Sequence, residues 1–163
     1  MPLDFSKLKD QPLFNVVLVE PEIPTNTGNI GRICVGTQSH LHLVEPLGFE
    51  ISDKRVKRAG LDYWPYLNLT IHPSYSQWQN KVKDQSRVFY LTKKGKTPIY
   101  QVAFQPGDWL VFGKEAEGLP EDLIIAHSEQ TLTIPHTKNI RSFNLSNAVS
   151  MVVSEGMRQI LGP

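Results

Sequence analysis

The sequence is poor in cysteine and has no long hydrophobic run. Cys34 is the one cysteine among 163 residues, so the chain can form neither an intramolecular disulfide nor a metal site built from several thiolates. The aliphatic run at 16–19 is too short to span a bilayer, and the first ten residues lack the apolar region of a signal peptide. These absences argue against an exported or membrane-embedded protein and predict a cytoplasmic one.

Several familiar motifs are also missing. No G-x-G-x-x-G and no G-x-x-x-x-G-K-[ST] pattern occurs, which argues against dinucleotide and nucleoside-triphosphate sites, and no G-x-S-x-G elbow places a serine nucleophile. The histidines lack the spacing of metal ligands, so we expect them at the surface or at strand ends, and we expect no metal site. They are His40, His42, His72, His127 and His136.

The charges are unevenly distributed, although the formal net charge is only +1. From Lys54 to Lys96 ten basic residues face two acidic ones, a balance of +8, whereas from Asp108 to Glu129 six acids face Lys114, a balance of −5. Such asymmetry either creates a local positive field that attracts a polyanion or reflects two ordinary solvated faces.

Short apolar runs rich in β-branched and aromatic residues alternate with helical patterns. The strands are predicted at 14–20, 41–46, 67–71, 87–92, 108–113 and 131–135, and the helices at 28–38, 52–58, 75–83, 121–126 and 145–160. This alternation predicts one α/β domain with a mostly parallel sheet and helices on both faces. Within the first helix the apolar spacing turns Cys34 toward the core, which argues against a catalytic thiol. Ser142 or Asn144 is available to cap the last helix.

Four loops follow predicted strands, where parallel α/β sheets bind their ligands. They are "IPTNTGNIGR" (23–32), "LTKKGK" (91–96), "FGKEAEGLP" (112–120) and "IPHTKNIRSFNLSNAV" (134–149). In the first, Gly28 and Gly31 permit close backbone approach, a helix start offers N–H groups to an anion, and Arg32 on the first turn adds a cation. A plain helix start explains the same residues equally well, so the pattern alone indicates a ligand-binding domain with a basic face.

Three of these segments together resemble a known family. "NTGNIGR", "FGKEAEGLP" and "IRSFNLSNAVSMVVSEGMRQ" are similar, in order, to the signature motifs of the SPOUT superfamily of RNA methyltransferases. "EPEIPTNTGNIGR" and "LHLVEPLGFEISDKRVKRAGLDYW" more narrowly resemble the tRNA wobble-nucleotide 2′-O-methyltransferases. The resemblance covers Phe14 to Gly162, which leaves residues 1–13 as an N-terminal extension before a SPOUT domain at 14–163.

The resemblance implies a C-terminal deep trefoil knot, a homodimer and S-adenosyl-L-methionine as cofactor. It implies methylation of the ribose 2′-oxygen of a wobble cytidine or modified uridine in the anticodon loop of selected tRNAs, leucine tRNAs first. A ribosomal RNA 2′-O-methyltransferase and a noncatalytic RNA-binding protein of the same fold remain as alternatives.

The family motifs also assign roles to residues of this chain. Arg32 and Asn144 match catalytic positions. The implied cofactor-binding residues are Leu91, Thr92, Gly113, Glu115, Gly118, Ile134 and Ser142. The implied RNA-binding residues are Asn26, Asn29, Lys54, Arg55, Lys57, Arg58, Lys93 and Lys94, and Tyr63, Trp64 or Tyr66 could stack on an unpaired base. Ser154 departs from the family, which often has an aromatic residue there.

Overall fold

The protein folds around one parallel β-sheet of seven strands. A computed structural model describes residues 3–52, 54–60 and 62–162. The strands are β1 (Phe14–Val19), β2 (His40–Val44), β3 (Leu69–His72), β4 (Val88–Leu91), β5 (Thr97–Pro98), β6 (Asp108–Phe112) and β7 (Thr131–Thr133). They lie in the order β3-β2-β1-β6-β4-β7-β5, and every described pair is parallel. The predicted parallel α/β sheet is therefore confirmed.

In the residues that the structure describes, five α-helices connect the strands or follow the last one. They are α1 (Pro24–Gly36), α2 (Lys54–Gly60), α3 (Tyr75–Lys81), α4 (Glu121–Ala126) and α5 (Leu145–Leu161). A 3₁₀ turn at Trp64–Tyr66 lies between α2 and β3. All five predicted helices are present, but α1 begins four residues earlier than predicted, with Pro24 in its first turn. Arg32 therefore lies more than two turns from the helix start, and its predicted place on the first turn is wrong.

The side chains of β1 alternate between two hydrophobic clusters, one on each face of the sheet. Phe14, Val16 and Leu18 point to a cluster that contains Ile30 and Cys34 of α1 and Val149, Val152 and Val153 of α5. Val17 and Val19 point to a cluster around Trp78 of α3. Helices thus cover both faces, as predicted.

Residues before β1 belong to the same core. Leu8 lies on a 3₁₀ turn at Phe5–Leu8 and is 1% exposed, and Leu13 is completely buried. The N–H of Leu13 also donates to the carbonyl of Gln38 at 2.8 Å. The N-terminal segment, for which the sequence suggested no role, is packed against the domain. Within the described part of the chain no helix has the length and apolarity needed to cross a membrane, and a cytoplasmic location stays a prediction.

Three histidine rings stack across β2 and β3. The ring centroids of His40 and His42 are 4.0 Å apart, and those of His42 and His72 are 5.2 Å apart. His42 Nε2 lies 3.0 Å from Asn15 Oδ1, and His42 Nδ1 lies 3.0 Å from His72 Nε2. The predicted surface or strand-end position is wrong for His42, which is buried in mid-strand. Asn15 permits this burial because it provides a hydrogen-bond partner for the ring.

Burial gives this histidine stack a pH dependence. Desolvation, reinforced by His40, His72 and Lys81, lowers the pKa of His42 to about 2. An unfolded histidine titrates near ~6.5, so below that pH the unfolded chain binds a proton that the folded chain rejects. The contribution of His42 to the free energy of unfolding is therefore present above about pH 6.5 and is lost as the pH falls below it.

We predict that the free energy of unfolding of the wild type falls between pH 6.5 and pH 5, by up to ~1.4 kcal/mol per pH unit for each buried neutral histidine. His42→Gln should reduce this slope, whereas His136→Gln, at an exposed position, should not. Urea denaturation at several pH values measures it. Parallel pH profiles for the wild type and His42→Gln would contradict the assignment.

Gly156 is the point of closest packing between α5 and β1. A Cβ at Gly156 would lie 2.1 Å from two ring carbons of Phe14, which is completely buried. Gly36, at the end of α1, has no atom within 4 Å of the same Cβ position. The two helical glycines therefore form a matched pair with the same gain in helix propensity on substitution by alanine.

We predict that Gly156→Ala lowers the free energy of unfolding by ~1–3 kcal/mol because it overpacks the core. Gly36→Ala should be neutral or slightly stabilising, by up to ~1 kcal/mol. Chemical denaturation at constant pH compares the two. Equal stability of both variants would show that Phe14 can shift without cost.

Candidate active site

A cavity lies beyond the carboxyl ends of β4, β6 and β7. Its volume is about 310 Å³. Leu91 is the last residue of β4, Gly113 follows β6, and Ile134 follows β7, so the parallel strands bring distant loops to one edge of the sheet. The cavity is lined by all seven predicted cofactor-binding residues: Leu91, Thr92, Gly113, Glu115, Gly118, Ile134 and Ser142.

Further residues of the same loops line the cavity but were not predicted. The apolar ones are Phe112, Leu119, Phe143, Leu145 and Ala148, and the charged or titratable ones include Lys114, Glu117, Glu121, His136 and Arg141. They lie within a few residues of the predicted positions. Membership in the motif segments was therefore the only feature of the sequence that could have indicated them. Lys93 and Lys94, which were predicted to bind RNA, also line this cavity.

The loop after β6 turns back on itself, and its glycines make that possible. Gly118 has φ +70°, and its N–H donates to the carbonyl of Lys114 at 2.9 Å. A Cβ at Gly113 would lie 2.0 Å from the carbonyl carbon of Gly118. A side chain at Gly113 would therefore collide with the main chain of the same loop. The shape of the cavity wall therefore requires glycine at position 113. This requirement is separate from the close ligand approach that a glycine also permits.

Glu115 connects this loop to the start of α1. Its carboxylate accepts hydrogen bonds from the N–H of Glu22 at 2.7 Å, from the N–H of Ile23 at 3.1 Å and from Nδ2 of Asn26 at 3.4 Å. The sequence suggested that the helix start would hold an anion. In the structure that anion is a carboxylate of the same chain.

Asn26 and Asn144 extend the connection to α5. Nδ2 of Asn144 donates to Oδ1 of Asn26 at 3.2 Å. Oδ1 of Asn144 caps α5 by accepting from the N–H of Ser146 at 2.9 Å and of Asn147 at 3.3 Å, so Asn144 rather than Ser142 is the cap. Glu115, Asn26 and Asn144 form a hydrogen-bonded chain, called here the Glu115 network, that joins the three motif segments.

Arg32 lies on α1 outside the residues that line the cavity. Its side chain is exposed, and its guanidinium carbon lies 5.5 Å from the ring centroid of Tyr63. Asn26, Asn29 and Arg32 are spaced three residues apart on α1, so neighbouring turns of one helix carry them. The helix thus carries the exposed guanidinium of Arg32 six residues beyond Asn26 of the Glu115 network.

The 3₁₀ turn Trp64–Tyr66 packs on α1 beside Arg32. The hydroxyl of Tyr63 donates to the carbonyl of Gly28 at 2.8 Å. A Cβ at Gly31 would lie 3.3 Å from the ring of Trp64 and 3.4 Å from Leu67. Gly31 therefore gives this turn room to pack, which is a different role from the ligand approach that the sequence suggested.

The exposed residues among those predicted to bind RNA lie on two surfaces, whereas Asn26 is buried in the Glu115 network, where it is a poor candidate for a direct RNA contact. Asn29 is exposed on α1, and Lys54, Arg55 and Arg58 are exposed on α2, which packs against α1. Lys93 and Lys94 lie apart from them at the cavity. The side chain of Lys57 falls outside the described part of the structure.

The basic and acidic stretches partly neutralise each other, because their strands are neighbours in the sheet. Exposed cations of the basic stretch remain on α2 and at Lys81, Lys83 and Lys93. The ion pairs between the two stretches are Arg87–Asp108, Lys94–Glu121 and Lys96–Glu129.

Thiol and metal chemistry find no support here. Cys34 is completely buried, and desolvation raises the pKa of its thiol far above the ordinary value, so the reactive thiolate is suppressed. In the ranges that the structure describes, no group of three or more histidine, cysteine, aspartate or glutamate side chains is arranged to hold a metal ion.

The fold and these motif segments define a methylase. The SpoU rRNA Methylase family matches residues 13–154, and the chain belongs to this family. A tRNA (cytidine(34)-2′-O)-methyltransferase of Burkholderia cenocepacia is 46% identical over 149 residues, which are 90% of this chain and 96% of the relative. The protein of the same name from Escherichia coli K12 is 47% identical over 149 residues, with 91% and 94% coverage.

Solved structures agree. One, described as giving structural insights into the 2-OH methylation of C/U34 on tRNA, superposes with a TM-score of 0.87 at 41% identity, over 92% of this chain and 97% of that chain. The SpoU methyltransferase AviRb of Streptomyces viridochromogenes, in complex with AdoMet, has a TM-score of 0.79 at 20% identity, over 98% of this chain and 62% of that chain. At that identity the likeness concerns the fold alone.

We predict that Glu115→Ala lowers the free energy of unfolding by ~1–2 kcal/mol, because three donors lose a charged acceptor that is only partly buried. Glu117→Ala, an exposed position in the same loop, should change it by less than ~0.5 kcal/mol. Thermal and urea denaturation test this. Equal losses in the two variants would mean that the Glu115 network adds no stability.

Proposed function

We propose that this protein is an S-adenosyl-L-methionine-dependent tRNA 2′-O-methyltransferase that acts on the wobble nucleotide, position 34, as its relatives' names indicate. The observation that carries the proposal is the Glu115 network, because it ties the cavity loop to the helix that bears Arg32. The methyl carbon and the ribose 2′-oxygen must be held about 3–3.5 Å apart before transfer, so the two sites need a fixed position relative to each other.

The cavity suits the proposed cofactor. A volume of about 310 Å³ is at the lower end of the range of small-molecule sites. Its lining combines aliphatic side chains, which suit a purine, with glycine-bearing main chain and with both charge signs, which suit an amino-acid end. Leu91, Thr92, Gly113, Glu115, Gly118, Ile134 and Ser142 would hold the cofactor, and when bound it supplies an electrophilic methyl group.

Arg32 is assigned to the ribose. A guanidinium is a fixed cation, so Arg32 would anchor a backbone phosphate and stabilise the negative charge that develops on the 2′-oxygen while the hydroxyl proton passes to solvent water. Asn144 and Asn26 fix the start of α5 and the start of α1, and so hold the ribose side of the site in place. We favour this electrostatic role over one in which Arg32 itself removes the proton of the 2′-hydroxyl.

The exposed cations of α2 are assigned to the anticodon stem. Lys54, Arg55 and Arg58, together with Lys57 from the sequence, would contact phosphates, and each contact makes binding sensitive to salt. Because one short helix covers few phosphates, we propose that a homodimer provides the remaining surface. Leucine tRNAs are the first substrates to test.

The topology supports a trefoil knot at the C-terminal side, which we include in the proposal. β7 lies between β4 and β5, although β4 and β5 are joined directly by the loop at 92–96. A Cβ at Gly95 of that loop would lie 2.3 Å from the main chain of Leu132 in β7. This close contact is what a knot would require, in which the later segment passes beneath the earlier loop, and from β7 the chain runs on to α5, which packs against α1.

We predict that the purified protein transfers label from S-adenosyl-L-methionine to total tRNA, and that nuclease digestion yields a resistant methylated dinucleotide containing position 34. Arg32→Ala should lower kcat at least ~100-fold, because it removes both phosphate anchor and charge stabilisation. Arg32→Lys, which keeps the charge without the planar fork, should retain only part of the activity.

Calorimetry with the cofactor serves as the control, since Arg32 does not line the cavity and Arg32→Ala should bind the cofactor like the wild type. Ribosomal RNA as substrate tests the alternative that the family description suggests. Undiminished turnover by Arg32→Ala would remove Arg32 from the mechanism, and methylation of ribosomal RNA in place of tRNA would overturn the substrate assignment.

A further inference from the structure

Tyr66 is an aromatic side chain displayed to solvent without an internal role. Among the large hydrophobic and aromatic residues described as exposed, it has the highest exposed fraction, 78%. Exposure of a tyrosine costs the protein apolar burial, and aromatic residues displayed in this way are typical of binding surfaces. Tyr63 and Trp64, which precede Tyr66 in the same segment, instead contact α1.

Tyr63 and Trp64 anchor the turn. Tyr63 is held by its hydrogen bond to Gly28, and the ring of Trp64 packs on Gly31 of α1. The N–H of Tyr66 donates to the carbonyl of Tyr63 at 2.9 Å, so Tyr66 is fixed to the anchored residues by the main chain. Of the three aromatic residues that the sequence offered for base stacking, the structure leaves Tyr66 as the one with an open ring.

Exposed cations lie on α2, and both α2 and the turn that carries Tyr66 pack against α1. Lys54, Arg58 and Arg55 are exposed on α2, the helix that precedes the turn, and Asp62 is the exposed acid between them and Tyr66. Arg32 lies over the ring of Tyr63, one 3₁₀ turn before Tyr66. An open aromatic ring beside exposed cations matches single-stranded nucleic acid, whose bases stack while its phosphates bind the cations. An apolar protein surface would be a poor match for these charges.

We propose that Tyr66 stacks on an unpaired base of the anticodon loop and so positions the neighbouring ribose at Arg32. This inference rests on the proposed function and makes it more specific, because it names a residue that recognises the loop rather than the stem. A tyrosine on an anchored main chain suits this role, since its short side chain has few torsions to immobilise on binding. Every base has a face that can stack, so Tyr66 would contribute affinity and position more than base identity.

The test uses an anticodon stem-loop with 2-aminopurine at one of the two positions flanking the wobble nucleotide, added to the full-length protein with S-adenosyl-L-methionine. For at least one position, the wild type and Tyr66→Phe should quench the fluorescence, and Tyr66→Ala should not. Tyr66→Ala should raise the KM for tRNA about 5- to 100-fold, in line with base-stacking energies measured by alanine substitution, and should change kcat much less.

Tyr100→Ala is the matched control. Tyr100 is 58% exposed and follows β5, at the edge of the sheet opposite β3. This variant should bind and quench like the wild type. Equal loss in both variants, or unchanged quenching and KM in Tyr66→Ala, would overturn the inference. A change of Tyr66→Ala in oligomeric state by sedimentation would also overturn it, because Tyr66 would then serve a protein interface.

Failure of the proposed methyl transfer and failure of the stacking role of Tyr66 can be told apart. If the wild type methylates no tRNA, the proposed function fails whatever Tyr66 does. If the wild type methylates tRNA and Tyr66→Ala does so with the same KM, only the stacking role fails. Thermal denaturation should show Tyr66→Ala as stable as the wild type, because an exposed side chain contributes little to the core.

Discussion

The site depends on one carboxylate. Glu115 lies in the loop after β6, yet its hydrogen bonds go to the turn that begins α1. Two loops at the same edge of a sheet are brought close by the fold, but loops alone leave their relative position loosely defined. Three donors on one charged acceptor define it, because each bond restricts the carboxylate in a different direction. The cavity wall and the arginine-bearing helix thereby become parts of one framework.

This arrangement separates the tasks of the two loops. Glycines at positions 113 and 118 let the loop after β6 turn back and form a cavity wall. The turn before α1 contributes N–H groups and leaves its exposed cation further along the helix. The hydrogen bond between Asn26 and Asn144 adds the start of α5, which packs on α1 in the same hydrophobic cluster. A displacement of any one segment would therefore change the distance between donor and ribose.

Periodicity was enough to predict the parallel sheet and its covering helices, because buried strands and amphipathic helices have strong local patterns. It missed β5, whose two residues, Thr97 and Pro98, are too few to show a pattern. It also placed the start of α1 too late, since Thr25, Asn26 and Gly28 are weak helix formers that packing overrides. The burial of His42 was missed because its partner, Asn15, lies on another strand.

The site was harder to predict from residue patterns alone. Its contacts join residues far apart in sequence: Asn26 and Glu115 are separated by 89 positions, and Asn26 and Asn144 by 118. No local pattern records such pairs, so the resemblance to a family supplied the cavity residues that the structure brings together. What the resemblance did not supply was the use of each residue, such as Glu115 as an internal anion at the start of α1.

The glycines of "NTGNIGR" show how local chemistry and packing combine. Gly31 leaves room for Trp64 and Leu67, and the carbonyl of Gly28 accepts the hydroxyl of Tyr63, so α1 receives a rigid aromatic turn on its surface. Tyr63 in turn lies under the guanidinium of Arg32 and limits where that flexible side chain can point. The small residues that first suggest close approach of a ligand to the helix start therefore act through packing. They place the ring of Tyr63 under the arginine on which the proposed chemistry depends, and the same packed turn displays Tyr66 three residues further along the chain.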